Sequence, residues 1–350
     1  MSEPVMSAAQ CDALMKAALL APTADNRPVC YLAWVGGCMA ITDRGDFTHD
    51  EPHRQVLAWI ALGAMVTNLS VRARHLGLQI EVEWFLPARR GDRVAILAFS
   101  KASATADDGL DAALSARCSN RRMDFRGPPL GAARKSQLEN DVTAIHGATL
   151  HWLDDGAARK RALTLIRRAE TERFRVRALH QELFESIRFD VDWSTSTTTG
   201  IPPGALGLPW IERLGFPAFR HWPVQRIANL LQAHRVLGWR AADLPCRLSP
   251  HLGVISIKAG TPHAEARAGQ ALQTVWLRAT VYRMAFQVFA AAPLYAMEGL
   301  GLTGAAMQRS LQLDWSELCD GERAFIAFRL GHAPNPTIKA GRLETLAPDH

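Results

Sequence analysis

The sequence predicts an α+β protein of two related halves, with a mostly antiparallel sheet flanked by helices, and three observations carry that prediction. Strand-like runs of two kinds, alternating and fully apolar, are interspersed with longer amphipathic helical runs. Hydrophobic residues make up 48% of the 350 positions and charged ones 21%, a globular balance with enough chain for one large core or two ordinary ones. One helix-and-strand pattern also occurs twice, which implies duplication.

Taken in order, residues 7–20 space Leu14, Ala17 and Ala18 as a helix that Pro22 ends. The run VCYLAWVGGCMAITD reads as two strands joined at Gly36-Gly37, a hairpin signal. Residues 54–76 form the clearest helix of the first part. Ile60, Ala64, Met65 and Leu69 mark its buried stripe, and Gly77 stands where a helix ends in a left-handed residue. QIEVEWFL alternates as a half-buried strand, and RVAILAFS is a fuller apolar one. Residues 101–116, small and polar, suit a connection between halves.

The second part opens with an arginine-rich stretch, followed by an expected helix at 131–146 and a strand at TLHWLDD. A long charged helix is expected near 156–189, then helix again at 223–237. The strand LGVISIK, a long helix at 264–291 and the strand RAFIAFRLG complete the reading. Between them, residues 193–223 are proline-rich and aperiodic, which suggests a functional lid or binding loop. Its apolar content, including Ile201, Leu206, Trp210 and Phe216, favours a packed cover. Trp193, Trp210 and Trp222 are candidates to line a pocket there, although tryptophan is more often simply packed.

The repeat aligns GAMVTNLSVRARHLGL (63–78) with GQALQTVWLRATVYRM (269–284), glycine first, then Arg72 with Arg278 and Ala73 with Ala279. Downstream, RVAILAFS (93–100) parallels RAFIAFRL (323–330). Amphipathic helices share apolar spacing by necessity, but here each helix precedes an apolar strand near the end of its half. A duplicated chain forms an internal pseudo-dimer. The expected division is 1–112, a degenerate first half, and 113–350, a second half carrying the 193–223 lid.

Several function classes drop out on composition. The net charge of +6 comes from 40 basic and 34 acidic residues scattered through helical stretches, so no nucleic-acid face is expected. No apolar run reaches about 18 residues, so no membrane partner is expected either. The N-terminus lacks a basic segment before its apolar run, and six scattered cysteines form neither C-x-x-C pairs nor a disulfide framework; a cytoplasmic location is expected. None of the twelve histidines has a convincing metal-ligand spacing, so no metal is expected. There is no G-x-G-x-x-G after a strand, no G-x-S-x-G and no Walker loop.

What remains is a set of polar clusters. In ARCSNRRMDFRGPP (116–129), Arg117, Ser119 and Arg121 present two guanidiniums and a hydroxyl within five residues. Guanidiniums match phosphate oxygens bidentately and a hydroxyl is a compact donor, so the stretch suits a phosphate; a solvated connector is the plainer reading. Asn120 is placed to cap a following turn. Pro22 to Asn26 ends a helix and turns the chain. Glu298-Gly299 lies in a glycine-rich loop, either a turn between helices or a place where backbone approaches a flat ligand. Lys339 and Arg342 make a C-terminal basic pair.

These segments resemble the nitroreductase-like flavoprotein superfamily. APTADNRPVCY (21–31) is similar to its A-P-S-x-x-N-x-Q-P-W segment, RCSNRRMDF (117–125) to R-x-S-x-R-x-F, PLYAMEGL (293–300) to P-x-E-G-F, and FRLGHAPNPTIKAGR (328–342) to its G-x-P…K/R segment. With the repeat, the best match is the fused-twin, Acg-like type. The resemblance implies FMN as cofactor, with NAD(P)H as candidate reductant and a small-molecule substrate. It places Arg117, Ser119 and Arg121 on the FMN phosphate, with Lys339 and Arg342 closing on it, and Thr23 and Asn26 on the polar edges of the ring. It puts flavin N5 near the Glu298–Gly299 backbone and names no protein acid or base. Arg27-Pro28-Val29 stands where Q-P-W is usual, so the aromatic wall is missing. The first half lacks R-x-S-x-R and the second lacks a clean A-P-S-x-x-N, which implies one FMN per chain. Four roles stay open on this reading: an oxidoreductase, a flavin-storing protein, a biosynthetic dehydrogenase with a dedicated peptide or metabolite substrate, and a flavin-free pseudoenzyme. The internal pseudo-dimer leaves a monomer or weak homodimer as the expected state.

Overall fold

The computed structural model describes residues 6–103 and 108–346, so part of the expected 101–116 connection (104–107) lies outside the described residues. Its fold is α+β, with strands in two separate four-stranded antiparallel sheets rather than one central sheet. The chain divides into two compact units that interleave in sequence. The first comprises Met1–Arg117, Glu265–Val281 and Arg342–His350; the second comprises Cys118–Ala264 and Tyr282–Gly341.

In the first unit, α1 (Ala8–Leu19) begins at a capping box in which Ser7 and Gln10 satisfy each other's backbone N–H groups. Strands β1 (Cys30–Val35) and β2 (Cys38–Asp43) form the expected hairpin. Gly36 and Gly37 both have positive φ, +57° and +83°, as the tight turn between such strands requires. Helix α2 (Pro52–His75) precedes β3 (Leu78–Trp84) and β4 (Arg93–Lys101), and the sheet order is β1-β2-β4-β3. Leu14, Met39, Ile41, Leu62, Met65 and Leu97 meet in its core. By length and hydropathy α2 is apolar enough to cross a membrane, but two thirds of that window is buried inside the fold, as suits a core helix.

Helix α3 (Leu110–Ala116) closes the contiguous part of this unit. A helix from far along the chain, Ala264–Val281, also belongs to it, except for its first residue. The expected boundary at 112/113 therefore does not coincide with the division into compact units. That helix and α2 meet without room for side chains. A Cβ on Gly63 would lie 1.8 Å from the Ala266 carbonyl oxygen, and one on Gly269 would lie 1.9 Å from that of Ile60. Around this contact sit two fully buried amides, with Gln273 donating to Asn68 (2.6 Å) and Asn68 donating to the Ala17 carbonyl (3.0 Å).

In the second unit, α4 (Ala132–Thr143) leads into β5 (Ala148–Trp152). Six helices then separate β5 from its neighbour β6 (His251–Ile257): α5 (Gly156–Arg175), α6 (Arg177–Glu185), α7 (Trp210–Gly215), α8 (Trp222–Leu230), α9 (Ala233–Gly238) and α10 (Leu244–Arg247). With Ala264–Val281 as α11, there follow β7 (Ala285–Phe289), α12 (Ala291–Leu294), α13 (Ala305–Leu318) and β8 (Arg323–Gly331). The order β5-β6-β8-β7 repeats that of the first sheet.

Three expected helices prove shorter. The one near 156–189 breaks at extended Val176, and the one at 223–237 breaks at Gln232, whose φ is +62°. The helix at 264–291 ends at Val281, and residues 285–289 become β7, because their aromatic and β-branched side chains suit a pleated ladder. Helix α13 had no counterpart in the sequence reading.

Candidate functional site

Three turns and one buried arginine organise the residues singled out by sequence. In the first unit, α1 ends and the chain enters a single 3₁₀ turn, Ala24–Asn26. Asp25 and Asn26 both adopt left-handed backbone, φ +56° and +55°. Asp and Asn are the side chains that tolerate this conformation best, which suits a turn that ends a helix. Both turn residues are tied down. Arg54 donates to the Asp25 carboxylate at 3.2 Å, and Arg342 donates to Asn26 Oδ1 at 2.5 Å. Arg342 arrives there because the C-terminal segment runs back to β1, where the Leu32 N–H reaches the Leu346 carbonyl at 2.9 Å. Burial lowers the Arg342 guanidinium below its ordinary pKa. Thr23 leads into the same turn as its N-cap, without a side-chain cap bond.

Arg117 is buried in the first unit. Its guanidinium donates to the Leu20 carbonyl at the C-terminus of α1 (2.8 Å) and stacks on Trp276 at 4.4 Å. A cation there completes the helix end and its dipole. The neighbouring site residues lie in the second unit, where Ser119 bridges to Phe286 and the Asn120 N–H reaches the Phe286 carbonyl at 2.9 Å. Asn120 is buried and does cap its turn, taking the Arg122 N–H at 3.1 Å while donating to the Pro334 carbonyl at 2.9 Å. Arg121 reaches the Ala205 carbonyl at 3.4 Å, at the long edge of hydrogen bonding. The Ser119 hydroxyl has no hydrogen-bond partner among the described residues.

Sequence reasoning missed what holds this stretch in shape. Arg329, on β8, is fully buried and donates to the carbonyls of Arg122, Met123 (2.9 Å) and Pro245 (2.8 Å), to Ser249 Oγ (3.2 Å) and to Gln287 (2.8 Å). Its guanidinium also stacks on Phe125 at 3.9 Å. Burial among neutral acceptors pulls its pKa down to about 10. Nothing in RAFIAFRLG distinguishes this arginine from a solvated strand residue. A second missed cluster joins His251 Nδ1 to Asp154 at 2.6 Å, with Lys135 on the same carboxylate. His251 Nε2 faces the Leu130 N–H at 2.7 Å, so both ring nitrogens are occupied. Burial pushes the Asp154 carboxyl up, but the bonds from His251 and Lys135 outweigh it and hold it below the ordinary carboxylate range. The cluster is a staple, not a catalytic dyad.

The remaining predicted residues spread out. Glu298 and Gly299 occupy an exposed turn between α12 and α13, with Gln312 donating to Glu298 at 3.2 Å. Gly299 has φ +80° and open space beside its Cα, so backbone there is accessible. Lys339 is exposed, and its carbonyl accepts the Ser196 hydroxyl at 2.6 Å. The division into units falls at 341/342, with Lys339 assigned to the second unit and Arg342 to the first. Among the described residues no cluster of His, Cys, Asp or Glu could hold a metal. Of the three tryptophans in the 193–223 run, Trp193 carries the Arg213 guanidinium (5.3 Å), Trp222 packs on His180 (5.3 Å) and Trp210 is 72% exposed.

No protein-family model matches the chain. It is 27% identical over 227 residues to the protein MT1398 of Mycobacterium tuberculosis, described as uncharacterized; the match covers 59% of this chain and only 30% of that protein. Among solved structures it is similar to an FMN-bound nitroreductase from Bacteroides fragilis (9% identity, 65% of this chain and 90% of that one, TM-score 0.36). It is also similar to the FMN-dependent nitroreductase NfnB of Mycobacterium smegmatis in complex with NADPH (14%, 64% and 87%, TM-score 0.35). A third match is an FMN-bound nitroreductase from Desulfitobacterium hafniense (14%, 69% and 95%, TM-score 0.35).

Proposed function

We propose that this protein is an FMN-dependent oxidoreductase of the nitroreductase-like kind, its two halves descended from one duplicated unit. The observation that carries the reading is the corner formed by Asn26 and Arg342. Two residues assigned to the cofactor by separate motifs, near opposite ends of the chain, meet at 2.5 Å on a left-handed turn, which moves Arg342 from the phosphate to the ring edge beside Asn26. Duplication is supported by the matching sheet orders and by the reciprocal contact at Gly63 and Gly269, the aligned glycines of the repeat. Each glycine faces the carbonyl three residues before the other, as two-fold pairing requires.

The donor set suits a phosphate and a polar ring edge. Ser119 has a hydroxyl to give, so it carries more of the phosphate role than Arg117, which is committed to Leu20 and Trp276, and Arg121 stands two residues further on in the same turn. Arg329 holds their backbone in place through the Arg122 and Met123 carbonyls. Open backbone at Gly299 leaves room for a flat group. When bound, FMN supplies hydride acceptance and donation, and the protein supplies position and charge. Turnover is favoured over storage by the fate of the lid: Trp210 faces solvent, and Phe216 packs on Phe184 (5.4 Å) and Phe189 (6.1 Å).

The test is the visible spectrum of the protein loaded with FMN and desalted, beside Arg121→Ala and Asn26→Leu variants. The reading expects a flavin band in the parent, weakened in both variants, and bleaching by NADH or NADPH. A parent that retains no flavin overturns it.

A further inference from the structure

Exposed apolar residues gather in one stretch of the chain. Of thirteen large hydrophobic side chains exposed among the described residues, nine lie between 210 and 239, in the second unit. On α7 they are Trp210, Ile211 and Leu214. On α8, Val224 and Ile227 follow at i and i+3, with Leu230 at its last position and Leu231 capping its end. Leu230 and Leu231 are 80% and 85% exposed, so their side chains stand almost free in water. Val236 on α9, which packs on α8, and Trp239 just past its end continue the pattern. Patches of this kind mark interaction sites on soluble folds.

The unpaired charge around the patch is of one sign. Arg220, Arg226 and Arg235 are exposed within the stretch. Its one acid, Glu212, is already held by Arg240 at 2.9 and 3.0 Å. Val236 and Trp239 also line a groove of about 810 Å³ between α5 and α9, whose walls bear Arg167, Arg168, Arg175 and Arg235. Arg175 is spent on Glu172 and Arg168 on Ser310 and Asp314, but Arg167 and Arg235 have no acidic partner among the described residues. In the same wall His234 is 9% exposed, and its Nδ1 is buried without a hydrogen-bond partner.

We propose that this face docks on an anionic phospholipid surface, with Trp210, Leu230 and Leu231 entering the headgroup boundary and the Arg167–Arg235 groove receiving a lipid phosphate. Apolar side chains with tryptophan, ringed by arginine, are the composition of interfacial helices. Pairing with a second copy would set the same unpaired arginines against one another, since an isologous contact repeats one patch on both sides. The contact is peripheral and needs no spanning segment, which is why the hydropathy of the chain does not announce it.

Cosedimentation of the full chain with vesicles tests this. Binding is expected to mixed phosphatidylcholine–phosphatidylglycerol vesicles and not to phosphatidylcholine alone, and it should weaken with salt. Arg235→Gln should weaken it about fivefold, and the Leu230→Ser/Leu231→Ser variant about tenfold or more, each with an unchanged urea midpoint because these side chains support no core. No binding to the mixed vesicles, or equal binding to neutral ones, overturns the proposal. So does a dimer in solution that the leucine variant dissociates, which would assign the face to a second copy. Inorganic phosphate protecting the chain against unfolding equally in the parent and the leucine variant, without vesicle binding, would reduce the groove to a free-phosphate site.

Discussion

The two four-stranded sheets are alike in order and even in their irregularities, yet they carry very different amounts of chain. In the first, β2 slips against β4 between Ile41 and Thr42, bypassing Val94; in the second, β6 slips against β8 between Ile255 and Ser256, bypassing Phe325. Both bypassed residues are buried, and a bulge in the same place bends both sheets alike. The first sheet joins β1 to β2 through two glycines, whereas the second inserts residues 153–250 between the corresponding strands. Residues 85–92 link β3 to β4, and residues 290–322 link β7 to β8. The sheet is thus a common frame, and the second unit's insertions carry the arginine groove, the exposed apolar face and the Gly299 turn. Chemistry grafted onto a frame through its loops is how folds acquire distinct roles.

Substitutions that strike the frame should cost most. Arg329→Ala strands several buried carbonyls at once and should cost more than about 4 kcal/mol in urea unfolding, without a matching residue in the first sheet to rescue it. Gly63→Ala and Gly269→Ala each drive a methyl into a backbone oxygen that cannot step aside; about 3 kcal/mol is expected from either. If the halves share one origin, the two losses should be nearly equal, and a large inequality would break the comparison. Gly37→Ala tests the short connection: space is open there, and only the positive φ resists, so about 1 kcal/mol is expected.

The smallest effect is a pH dependence confined to the insertion. His180 is buried against Phe184 and Trp222, with Nε2 facing the Phe219 carbonyl at 2.8 Å. Burial lowers its pKa below the ordinary 6.5, outweighing that carbonyl. In the window below 6.5 the unfolded chain therefore binds more protons than the folded one, so stability falls as pH falls. Replacement by phenylalanine should flatten the slope of unfolding free energy below about pH 6.5. An unchanged slope would place the titration elsewhere.

How much of this was legible in the sequence depended on whether a signal was local. The Gly36-Gly37 hairpin, α2 with its terminal glycine, and strand β3 with its alternating burial follow from neighbours along the chain. The turn at 23–26 was marked by Pro22, Asp25 and Asn26, although its docking to Arg342 was not foreseeable from spacing. Helix α11 was overextended because MAFQVFAA suits helix or strand alone and only pairing with β8 decides. Arg329 was invisible because its acceptors are backbone carbonyls distant in sequence. The division into units failed to follow the halves for the same reason: α11 finds its glycine-lined partner in α2, some two hundred positions earlier.

The central claim is that two like frames carry one unlike, single flavin site. An equilibrium titration of the purified chain with FMN, followed by flavin fluorescence quenching, counts sites directly. One equivalent per chain, with affinity lowered in Arg121→Ala, is the predicted result. Two equivalents, or none, would contradict it.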